Sequence, residues 1–91
     1  MILFIDTEFA DALASELVSL ALVSDYGRYE FYAERDPLPP TPTEFVRTVV
    51  YPQLDRGDRT LPDERFTAAL HAFFAYVAAA FRQSPIVVAY D

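Results

Sequence analysis

The chain opens on an unbroken apolar run, Ile2-Leu3-Phe4-Ile5, that leads straight into Asp6-Thr7-Glu8-Phe9. Such a run, with β-branched residues at both ends, predicts a short strand covered on both faces and ending near Thr7 or Glu8. Glu16 to Ser24 predicts a second strand. Its Leu17, Leu20 and Leu22 do not alternate strictly, which again implies cover on both faces. Tyr29 to Glu34 predicts a third, with Tyr29, Phe31 and Ala33 on one face and Glu30, Tyr32 and Glu34 on the other. Between them Asp25-Tyr26-Gly27-Arg28 is a turn signal, with Gly27 free to take positive φ, so strands two and three form an antiparallel hairpin. The clearest helical period runs from Leu61 to Gln83. Phe66, Leu70, Phe73, Val77, Ala80 and Phe81 recur at helical spacing and face the sheet. Pro62 suits the first turn, and Asp63 and Glu64 complement the positive end of the helix dipole. Ser84-Pro85 stops the helix, and Ile86 to Tyr90 is another fully apolar strand. Because it follows a crossover helix, it lies parallel to the first strand.

The remaining segments carry weaker patterns. Phe9 to Ser15 is a short Ala-rich connection that suits a helical turn. Asp36 to Pro42 holds four of the seven prolines and reads as a surface loop. Thr43 to Tyr51 suits a short helix, capped by Thr43 and ended before Pro52, with Phe45, Val46 and Val49 sharing a face, although its β-branched content would also allow a strand. Leu54 to Thr60 is a charged turn region around Gly57. The fold class is therefore α/β with a mixed sheet: an antiparallel three-strand meander, a crossover helix and a parallel fourth strand. The first strand is central, between the hairpin and the 86–90 strand.

Composition narrows the class. The 91 residues suffice for one small domain, and 53% hydrophobic content rules out a disordered chain. There is no cysteine, hence no disulfide framework and no thiolate metal site. No apolar run approaches the roughly 20 residues of a membrane span, and the N-terminus lacks the basic region of a signal peptide. A cytoplasmic location without a membrane partner is expected. The net charge is −7, from fourteen acids and seven arginines with no lysine. That is not the basic footprint of a general nucleic-acid binder. It suits metal binding, because bound cations supply the missing positive charge.

Asp6 and Glu8 are the candidate chemistry. Strand side chains alternate, so the two project from the same side, roughly 6–7 Å apart at the backbone, while Thr7 points away. Two adjacent carboxylates at the mouth of an apolar strand repel each other, and a divalent cation such as Mg²⁺ or Mn²⁺ relieves that repulsion. The plainer alternative is a solvated strand end, where Asp and Glu are common. His71, the only histidine, sits in mid-helix opposite the apolar face and reads as a solvated residue. The hairpin tyrosines suit packing better than a stacking platform.

Phe4-Ile5-Asp6-Thr7-Glu8-Phe9, followed by a hairpin with its Asp25-Tyr26-Gly27 turn, resembles the first motif of the DEDD 3′–5′ exonucleases, which have a ribonuclease H-like fold. The Asp-Thr-Glu-Phe form is more similar to a smaller bacterial branch of exoribonucleases than to the proofreading enzymes. The resemblance covers the chain in layout, and the first motif alone in residues. It implies a 3′–5′ exonuclease, with RNA favoured over DNA, that hydrolyses phosphodiester bonds from a 3′ end using two divalent ions, Mg²⁺ or Mn²⁺. It makes Asp6 and Glu8 catalytic residues and metal ligands. It places Thr7 and Phe9 near the terminal nucleotide as substrate-binding residues, with the Phe9 ring able to stack on a base; a core packing role is the plainer alternative for Phe9. Asp91 either is the family's second-motif aspartate, and so a third metal ligand, or precedes it by a few residues. The third motif, with its His or Tyr base and last Asp, is absent. The resemblance thus casts residues 1–91 as the N-terminal part of a single ribonuclease H-like exonuclease domain, with an incomplete site, little activity by itself and a tendency to form oligomers. Two other classes fit the same layout: a non-catalytic ribonuclease H-like interaction domain, and another ribonuclease H-like nuclease.

Overall fold

Strand β1 (Ile2–Phe9) lies inside the sheet, between β2 (Leu17–Ser24), antiparallel to it, and β5 (Val87–Tyr90), parallel to it. The computed structural model describes residues 1–82 and 84–90. β3 (Glu30–Arg35) pairs antiparallel with β2, and β4 (Thr60–Leu61) pairs parallel with β3. The five strands run in the order β4-β3-β2-β1-β5. Helix α1 (Asp63–Ala80) connects β4 to β5. The predicted mixed sheet with a parallel strand beside β1 is thus present. β4 was not foreseen, because two residues carry no period.

The register assigns every strand residue to a face. Ile5 pairs with Leu22 and Leu22 with Phe31, while Thr7 pairs with Leu20 and Leu20 with Ala33. Paired residues share a face, so this side is almost wholly apolar. α1 covers it. Phe66 and the sheet residues Leu3, Leu20, Leu22, Phe31 and Ala33 form one buried cluster, with Leu70, Phe73 and Phe74 packed against it. The Phe31 and Phe73 rings lie 5.5 Å apart. Each fully buried leucine stabilises the fold by about 1.5–3 kcal/mol, so Leu3 and Leu22 matter more than any surface contact. α1 is shorter than the predicted span. Phe81 leaves the helical conformation at φ −127° and ψ 53°, which ends the helix before Pro85 is reached. The predicted helix end at Gln83 lies outside the described residues.

Several local expectations are corrected. β1 runs on to Phe9, because a bulge shifts its register between Glu8 and Phe9 and lets pairing continue with Leu17. The 9–15 connection is not a helical turn. The Asp11 carboxylate accepts hydrogen bonds from the Ser15 and Glu16 N–H groups and the Ser15 hydroxyl, folding the loop around itself. These hydrogen bonds hold the Asp11 carboxyl below its usual range, the Ser15 hydroxyl contributing most. The 43–51 segment is helical but irregular. Thr43 Oγ1 accepts the Val46 N–H as a cap, then Val46–Val50 form a π-helical turn and Tyr51–Gln53 a 3₁₀ turn. Pro52 sits inside that last turn, at a position needing no N–H donor, so the helical path does not stop before it. Of the three residues expected to share an apolar face, only Val46 is buried.

At the hairpin tip Tyr26 and Gly27 both have positive φ, 71° and 68°. Gly27 has no atom near its missing Cβ, so a substitution there meets backbone strain alone. Gly27→Ala is expected to cost about 1–2 kcal/mol. Chemical denaturation of the two proteins checks this, and an unchanged midpoint would contradict the assignment.

Candidate functional site

The face of the sheet away from α1 carries the acids. Asp6 pairs with Ala21, which pairs with Tyr32, and Glu8 pairs with Ser19, which pairs with Glu34. Asp6 and Glu8 therefore share this face at the C-terminal end of β1, and both are exposed. Among the described residues neither carboxylate takes part in an ion pair or a side-chain hydrogen bond. Thr7 and Phe9 alternate to the α1 side, where both are half-buried. The structure brings the two acids together and sets the Thr7 and Phe9 side chains on the other side of the strand. Asp91 lies outside the described residues, so its convergence with Asp6 is not part of this geometry. The last described pairing of β1 with β5 is Ile5 with Tyr90.

His71 is exposed on α1, across the sheet from the acids. The hairpin tyrosines pack rather than present a platform. Tyr29 makes edge-on contacts with Tyr76 and Phe81 at 5.8 and 5.5 Å. Tyr26 alone stands clear in solvent.

In the sequence Glu34 shows only as a residue of the third strand. In the structure it is fully buried, in register with Ser19 and Glu8. The 54–59 loop folds back onto it. Its carboxylate accepts the Asp55 N–H at 2.7 Å and the Arg56 N–H at 2.9 Å, with the Arg56 guanidinium at 3.4 Å and the Tyr32 hydroxyl completing the set. Burial alone raises a carboxyl pKa, but these donors and the Arg56 charge together outweigh it and hold Glu34 below the ordinary carboxylate range. Burial and the Glu34 carboxylate push the Tyr32 hydroxyl the other way, above its usual value. No sequence signal marks this site, because two of its donors are backbone N–H groups.

The three acids thus have different chemical capacities. Glu34 has its oxygens occupied and is held as a structural anion. Among the described residues Asp6 and Glu8 have theirs free, and both are exposed. Among the described residues no group of three or more His, Cys, Asp or Glu side chains is placed to hold a metal ion. Two free carboxylates still fit a Mg²⁺-type ion, which is commonly held by one or two carboxylates, substrate phosphates and its own waters. No helix among the described residues is long and apolar enough to cross a membrane. Compared with known proteins, the chain matches no family model and no curated sequence.

Proposed function

We propose that this chain carries the Asp-x-Glu carboxylates of a divalent-metal-dependent 3′–5′ exonuclease of ribonuclease H-like fold, acting on RNA in preference to DNA. The observation that supports it is the pairing of two exposed carboxylates, unpartnered among the described residues, on one face at the C-terminal end of an interior strand that has a parallel neighbour along Ile2–Ile5. Ligands in open α/β sheets gather at that edge. Asp6 and Glu8 would hold Mg²⁺ or Mn²⁺, with Asp91 the third carboxylate by resemblance. Such ions, when bound, activate water and stabilise charge on a phosphodiester. The residues of the chain have the complementary task of concentrating cations at one point. With a net charge of −7, a polyanionic substrate is repelled until they do so.

Mn²⁺ titration followed by amide NMR tests the reading without relying on turnover. Mn²⁺ is expected to broaden the resonances of residues 6–9 before all others, and Asp6→Asn to weaken this by about tenfold or more, since loss of a group that merely supports a metal ligand already costs about 10–100-fold in affinity. Broadening that is spread over all the acidic residues, or that survives Asp6→Asn unchanged, would sink the proposal. A single-stranded RNA labelled at its 5′ end then distinguishes stepwise shortening from internal cuts.

A further inference from the structure

The face that bears Asp6 and Glu8 is divided. Toward β3 it is closed: Ser19 and Glu34 are buried, and the 54–59 loop folds back onto Glu34. Toward β5 and the turn at residues 25–28 it is open. The register sets Ile2 beside Val87, and Phe4 between Val23 and Ala89. Ile2, Phe4, Val23 and Val87 keep 37–52% of their surface in solvent, although all four are large and apolar. They are contiguous across three strands, which makes a patch rather than scattered surface residues. Its borders are acidic. Glu30 pairs with Val23 on one side, while Asp6 and Glu8 follow Phe4 along β1. Among the described residues none of these three acids is in an ion pair.

We infer that this open face is a docking surface for a helix with an apolar stripe flanked by basic side chains. Shape and charge each select that occupant. A helix about 10 Å across spans the two strand spacings, about 4.8 Å each, from β2 to β5. α1 shows that a helix seats well on this sheet, since it covers the opposite face with side chains at helical spacing. A strand added to the edge of β5 would leave Phe4 and Val23 uncovered. A second copy of the chain, face to face, would bring a second Asp6, Glu8 and Glu30 against the first three, and like charges brought together at an interface disfavour that partner. Lysine or arginine flanking an apolar stripe meets the acids at both borders and leaves the centre dry. The helix and a bound divalent cation would compete for Asp6 and Glu8, so the test is run in EDTA.

The probe is a peptide of Leu and Lys at helical spacing, as long as α1 at 18 residues, with a Leu/Glu peptide of the same pattern as control. Titration calorimetry on the whole chain is expected to show one-to-one binding of the Leu/Lys peptide, at least about tenfold tighter than the Leu/Glu peptide. Val87→Ser and Phe4→Ala are each expected to weaken it roughly fivefold or more, the scale for an interface anchor. Tyr76→Ala, exposed on α1 across the sheet, is expected to leave it unchanged. Val87 is the safer variant, being half exposed in the free chain. Absence of binding, equal binding of the two peptides, or indifference to Val87→Ser in a protein with an unaltered circular dichroism spectrum would overturn the inference. So would a homodimer that Val87→Ser dissolves, because the occupant would then be a second copy.

Discussion

Glu34→Ala is expected to lower the unfolding free energy by about 1–3 kcal/mol, the range for leaving buried hydrogen-bond donors without their acceptor. The substitution strands the Asp55 and Arg56 N–H groups, the Tyr32 hydroxyl and one contact of the Arg56 guanidinium. That guanidinium also donates to the Arg35 carbonyl at 2.8 Å, so the loop loses its tie to the carboxylate but keeps one to the strand. Urea unfolding measures the change, and a loss below about 1 kcal/mol would show the site to be dispensable. The same anion sets a pH dependence. Its folded pKa lies below the unfolded value of about 4.3, so its contribution is complete above that value and disappears as pH falls through the folded pKa. Stability should therefore decline as the solution is acidified from about pH 5, and Glu34→Gln should flatten that decline.

Phe66→Ala is expected to cost about 3–5 kcal/mol, the usual range for emptying a buried aromatic site. Phe66 is the helix residue of the buried cluster that includes Leu3, Leu22 and Phe31, so its ring joins the two layers. For a domain of this size each kcal/mol corresponds to a fall in Tm of about 4–8 °C. His71→Ala, exposed on the same helix, should stay within about 0.5 kcal/mol of the parent. Thermal unfolding followed by circular dichroism compares the pair. Equal melting temperatures would mean that α1 is not seated on the sheet through Phe66.

α1 is legible because its apolar positions repeat at helical spacing, whereas β1 and β5 are legible as short unbroken apolar runs. Such a run does not say how many faces are covered: β1 is covered on one, since Ile2 and Phe4 stay exposed on the other. The alternation of strand side chains placed Asp6 and Glu8 together and Thr7 apart from them. What escaped depends on a single long-range contact. The burial of Glu34 requires a loop some twenty residues later to return, and backbone N–H groups at Asp55 and Arg56 have no residue type to betray them. The Asp11 loop was hidden for a similar reason: its alanines suggested a helix, but one carboxylate satisfying two N–H groups outweighed that preference. At Tyr26 the turn imposes positive φ on a residue that would not choose it, which a local reading assigned to Gly27 alone.

The pairing of Ile2–Ile5 with Val87–Tyr90 has a kinetic consequence. The β1–β2 and β2–β3 ladders join neighbours in sequence and close over short loops. The β1–β5 ladder joins residues about eighty-five positions apart, with the whole crossover between them. Closing so long a loop raises the mean sequence separation of native contacts, which slows folding. Of the five strands β1 is made before the other four, yet it must wait for Val87–Tyr90 before its second ladder can form. Over that interval one edge of β1, with its apolar run Ile2–Ile5, is open to any other extended chain. The step most exposed to aggregation is thus the wait for β5, not the formation of the hairpin.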